Sequence, residues 1–128
     1  MSFHTPLSKV RGLGSAKSGT EHFWHQRVTG AANVFLTIGM LIIAMMVWGK
    51  SFYQVIDIFQ MPLVAIITML FILNSAWHMK LGMQVIIEDY VSHEGKRIIS
   101  LLLSQFFCVL VAFSGVFAIL IINFGNVK

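Results

Sequence analysis

The chain has 128 residues, 57% of them hydrophobic and 11% charged, with nine Lys and Arg against five Asp and Glu for a net charge of +4. Soluble domains carry about 25% charged residues, so the composition speaks against a water-soluble fold. The one cysteine, Cys108, can form no internal disulfide, and a packed thiol is the expected state.

The first 27 residues are polar, with Gly, Ser and Lys frequent up to Gly19. They read as a loop lying on a membrane surface or against a partner, and not as a signal peptide. Thr20 is the expected cap of a short helix leading into the first hydrophobic stretch, with Phe23 and Trp24 at the interface where aromatic rings settle. Positions 28–49 then carry no Asp, Glu, Lys, Arg or His, and the same holds for 58–77 and 98–127. Roughly 20 apolar residues make a helix long enough to cross a hydrocarbon core of about 30 Å. The fold class expected is all-α, with three transmembrane helices at about 28–49, 58–84 and 98–122, preceded by the segment 1–27. A soluble bundle would need polar faces at helical spacing, which these stretches lack.

Lys9, Arg11, Lys17 and Arg27 precede the first span, while Lys80, Lys96 and Arg97 lie near the end of the second; Lys50 and Lys128 stand opposite. Positive residues collect on the cytoplasmic side. The N-terminus is therefore expected in the cytoplasm and the C-terminus outside it, in the periplasm if the cell is bacterial. Gly30, Ala31, Ala32 and Gly39 in the first span, and Ser114, Gly115 and Ala118 in the third, permit close helix approach. Ordinary packing explains them, and a larger bundle shared with a partner's helices would use them too. No internal repeat is visible, which argues against a repeat-built transporter. A channel or transporter also needs polar residues along several spans, and Asn33, Thr37, Thr68 and Asn74 are few.

Chemistry concentrates in the second span and its exit, 74–97. His78 is the histidine nearest a hydrophobic stretch, with His4, His22, His25 and His93 expected outside the spans. Ionisable groups at membrane depth are costly and usually functional. Asn74, His78, Gly82 and Asp89 fall near one helix face. Gly82, one turn past His78, is expected to leave a shelf where something flat can lie on the backbone. An imidazole there is either an axial haem ligand or a hydrogen-bond partner for a neighbouring helix, and spacing leaves both open. A b-type haem with two histidine ligands would need its second imidazole from another protein chain. Tyr90, with Asp89 beside it, sits about 15–18 Å further along the helix. A phenol at that depth can donate to a quinone carbonyl, or it can simply belong to the interfacial aromatic belt.

The run His78-x3-Gly82-x-Gln84-x4-Asp89-Tyr90 resembles the small hydrophobic membrane-anchor subunits (the cytochrome b small subunits) of succinate dehydrogenase. Trp24-His25-Gln26-Arg27-Val28 is similar to the segment opening that family's first span, and the leader to its alphaproteobacterial branch. The resemblance covers all three spans. It implies a six-helix bundle made with a second, larger anchor, within a four-subunit complex that also holds a flavoprotein and an iron–sulfur protein. Electrons from succinate would pass to ubiquinone at the surface of a bacterial inner membrane. His78 would then be an axial ligand of haem b, the other ligand coming from the larger anchor. Arg27 would meet a haem propionate, with Lys80 a weaker candidate for the same contact. Tyr90 would hydrogen-bond the quinone with Asp89 next to it. Membrane lipid is an expected partner and nucleic acid is not. A fumarate reductase anchor and a purely structural anchor without redox chemistry are the competing readings.

Overall fold

The computed structural model describes residues 17–125, so positions 1–16, with Lys9 and Arg11, and 126–128, with Lys128, lie outside the described residues. The described residues form helices α1 (Lys17–Val47), α2 (Phe52–Phe59), α3 (Pro62–Tyr90) and α4 (Glu94–Phe124), with no strand among them. Three are long and apolar enough to cross a membrane: Thr20–Val47, Pro62–Tyr90 and Glu94–Phe124. The chain is a multi-pass helical membrane protein.

The long helices run to other ends than the expected 28–49, 58–84 and 98–122, and two of the starts have a local cause. Helix α1 runs unbroken from Lys17, so Thr20 lies inside it and caps no separate short helix. The second long helix starts at Pro62 and not near position 58. Proline, lacking an N–H, suits the first helical position, where that donor has no intrahelical partner, and Ile58 belongs to the short α2 before it. Gly49, at φ +69°, makes the left-handed turn that ends α1, a conformation natural to glycine.

Helix α3 is the centre of the molecule. It packs on α1 along one side and on α4 along the other, while α1 and α4 do not meet. Glycines set both seams. A Cβ on Gly39 would lie 3.0 Å from Ile67 Cγ2, and one on Gly115 would lie 2.8 Å from Ile72 Cγ2. Such close approach is how membrane helices gain van der Waals contact where no water is expelled. Gly30, Gly39 and Gly115 are thus used within the chain, while Ala31, Ser114 and Ala118 remain exposed. Cys108 is free and buried, as expected.

At the end away from His78, α2 folds under the helices with Ile56 and Ile58 buried. Gln60 Nε2 donates to the Ile122 carbonyl at 2.9 Å and Asn123 Nδ2 to the Phe59 carbonyl at 3.2 Å, which fastens α4 to this end. A broad apolar surface stays uncovered, including Phe35, Phe106, Phe113 and Phe117. In a membrane such a surface meets lipid or other helices without penalty.

Candidate functional site

Helices α1 and α3 run antiparallel, with Gly39 level with Ile67, Gly30 with His78 and Gln26 with Gly82. That register brings a string of polar side chains into the seam. Asn74 Nδ2 donates to the Thr29 carbonyl at 2.9 Å and to Asn33 Oδ1 at 2.8 Å, and Ser75 Oγ donates to the same Asn33 oxygen at 3.1 Å. Hydrogen bonds between membrane helices are each worth about 0.6 kcal/mol and up to about 1.7, so the set fixes register more than it adds stability.

His78 stands at the centre of this string. Its Nδ1 lies 2.9 Å from Thr29 Oγ1, and its Cε1 would be 3.3 Å from a Cβ on Gly30, so the ring is seated on the α1 backbone. Nε2 makes no hydrogen bond among the described residues. It is also absent from the sealed, unpartnered side-chain atoms, which are His22 Nε2 and Gln26 Oε1. One nitrogen of His78 is held and the other opens to the surface of the chain.

Gly82 does not form the open shelf expected of it, because Gln26 Nε2 would lie 3.5 Å from a Cβ placed there. His22 and His25 are not outside the helices either: both sit on α1, within the Thr20–Val47 span. His25 is exposed. His22 lies seven residues before Thr29, about 10 Å along the axis, and its Nε2 is sealed with no hydrogen-bond partner among the described residues. Among the described residues, no three His, Cys, Asp or Glu side chains converge as a metal cage.

The remaining site residues lie elsewhere on the surface. Arg27 is exposed on α1 with its guanidinium 4.3 Å over the Phe23 ring. Lys80 is on the flank of α3 turned away from His78. It lines a cavity of about 150 Å³ with Gln84, Ser104 and Gln105, and its Nζ is 5.0 Å from the Trp77 ring centre. Gln84 Nε2 donates to Glu88 Oε1 at 2.9 Å. Asp89 and Tyr90 end α3, and Tyr90 is 84% exposed, so nothing within the described chain encloses a ligand there.

Sequence reasoning missed Thr29, Asn33 and Ser75 as parts of the site. The signal was the four-residue spacing of Thr29 with Asn33 on one helix and of Asn74 with His78 on the next.

The fold and site together define a small membrane subunit with one imidazole presented from a helix seam. Residues 1–112 match the model of the succinate dehydrogenase/fumarate reductase transmembrane subunit family, and the chain belongs to that family. It is similar to the succinate dehydrogenase hydrophobic membrane anchor subunit of Paracoccus denitrificans, 32% identical over 99% of this chain and 98% of the relative. The anchor subunits of the same name from Rickettsia conorii (28% identical; 84% of this chain, 86% of the relative) and Rickettsia bellii (32%; 70% and 72%) are also similar. No solved structure gives a significant match.

Proposed function

We propose that this chain is the small anchor subunit of a succinate:ubiquinone oxidoreductase, holding the flavoprotein and iron–sulfur proteins at the membrane and contributing to a haem b site and a quinone site. The observation that carries the reading is His78, with Nδ1 held by Thr29 and Nε2 open. A single imidazole suits haem iron, because the porphyrin supplies four of six ligands and only axial positions remain for protein. The second ligand is assigned to the larger companion anchor, whose helices would close a six-helix bundle over the exposed apolar faces. The bound haem would supply a one-electron redox centre between the two anchors.

This chain's own residues would act in three ways. His78 places its nitrogen lone pair at the edge of the α1–α3 seam. Arg27, already exposed on α1, offers a planar cation to a propionate. Lys80 reaches a propionate only if its stem leaves the α3–α4 cavity, since it faces away from His78. Tyr90, about 18 Å along α3 from His78, donates its phenolic hydrogen to a quinone carbonyl, and Asp89 beside it holds the phenol or passes protons. Groups from the other chains of the complex would complete that pocket.

Orientation follows from charge. Arg27, Lys80, Lys96 and Arg97 gather at one end of the helices and Lys50 at the other, which supports a cytoplasmic N-terminus in a bacterial inner membrane. The family includes fumarate reductase anchors, while the similar proteins named above are all succinate dehydrogenase anchors; that favours the succinate direction.

An affinity tag on this chain tests the reading. Mild-detergent purification is expected to recover flavin, iron–sulfur signals and succinate-dependent quinone reduction. Recovery of the chain without flavin or iron–sulfur centres would contradict it.

A further inference from the structure

We infer that Thr29 is a positioning residue that sets the tautomer and the donor strength of His78, an inference resting on the haem-ligand reading of His78. The basis is a count of protons. Thr29 Oγ1 lies 2.7 Å from the His25 carbonyl and 3.2 Å from the Gln26 carbonyl, and carbonyls only accept. The hydroxyl's single proton is committed to them, as is usual for threonine inside a helix. At 2.9 Å from His78 Nδ1, the Thr29 oxygen is therefore the acceptor and Nδ1 carries the hydrogen. Neutral imidazole has one hydrogen, so Nε2 holds a free lone pair, the form that binds iron.

The same residue is held at its backbone as well. Asn74, one turn before His78, donates to the Thr29 carbonyl and so ties Thr29 to α3 at its backbone while His78 ties it at its hydroxyl. Thr29 is buried at 9% exposure, which keeps competing water away. Gly30 beside it leaves room for the ring edge. Acceptors behind a ligating histidine raise its basicity and fix its orientation, and their loss typically costs about 10–100-fold in affinity. A more basic imidazole favours ferric over ferrous iron, so Thr29 lowers the haem potential.

The test uses the assembled complex with Thr29→Val, which keeps the branched shape and removes the oxygen, and Thr29→Ser, which keeps the oxygen. Valine is expected to weaken haem retention about 10–100-fold, to raise the haem midpoint potential and to shift the low-spin resonance of the oxidised haem. Serine is expected to match the unmutated complex. If valine leaves retention, potential and resonance unchanged while His78→Ala removes the haem, Thr29 has no such role and the ligand assignment stands. If serine is as harmful as valine, the methyl packing matters and not the hydroxyl, which also overturns the inference. If His78→Ala keeps the haem, the ligand reading itself fails. Should the valine variant not assemble, electron–nuclear double resonance on the unmutated complex decides. An Nδ1 proton on the His78 imidazole that exchanges slowly with deuterated solvent, as a bond to the buried Thr29 oxygen requires, supports the inference, and one that exchanges at once, as a bond to water allows, refutes it.

Discussion

His78 and Tyr90 share a helix but stand in opposite circumstances. The imidazole is half-buried with one nitrogen tethered, while the phenol is almost wholly exposed at the helix end. Residue type and depth were enough to single out both. The hydrogen bond from His78 to Thr29 was not legible, because it joins residues 49 apart and depends on how two helices slide past each other. Nor was the filling of Gly82 by Gln26, since a glycine reads as space until its neighbour is known. Tyr90→Phe separates the two readings of that residue. It keeps the ring and its interfacial preference and deletes the hydroxyl. A donor to an oxygen that gains charge in the reaction is typically worth about 2.7–4 kcal/mol, or roughly 100- to 1,000-fold in turnover. Succinate-to-quinone turnover is expected to fall by that order while succinate oxidation with an artificial acceptor persists and haem stays bound. Unchanged quinone turnover would return Tyr90 to the aromatic belt.

Among the elements, the three long helices were legible because uncharged stretches of 20 residues or more have few other uses. Their ends were not, since polar residues such as His22 and His25 continue a helix as readily as they leave it. The end of the short α2 was taken into the second span because Ile58 and Phe59 are as apolar as the residues of α3, and only Pro62 marks the break. The small residues were read as interface without saying whose, and the structure turns three glycines toward α3. Gly115 meets Ile72 so closely that any side chain there must displace it. Gly115→Leu is expected to loosen the α3–α4 seam by about 1–3 kcal/mol, the usual cost of overpacking. A lower temperature of inactivation in detergent, with haem retained at low temperature, would register it. An unchanged inactivation temperature would mean that the two helices are held chiefly by other contacts.

At the scale of the molecule, α3 holds α1 and α4 apart and leaves wide apolar faces on both sides. On the proposed reading His78, Arg27 and Tyr90 each meet a group that other chains of the complex help to hold. Topology is checked by reporters: one fused after Lys128 is expected to read as periplasmic and one in the 91–93 turn, where α4 begins earlier than the expected 98, as cytoplasmic. Swapped results would put Tyr90 on the wrong face for electrons arriving from cytoplasmic proteins. The central claim, that this anchor ligates a haem through His78, is tested most directly by the reduced-minus-oxidised spectrum of the purified complex carrying His78→Ala. The account predicts that flavin and iron–sulfur centres are still recovered while the b-type band is lost or strongly shifted. An assembled variant with the band unchanged in position and height would contradict it.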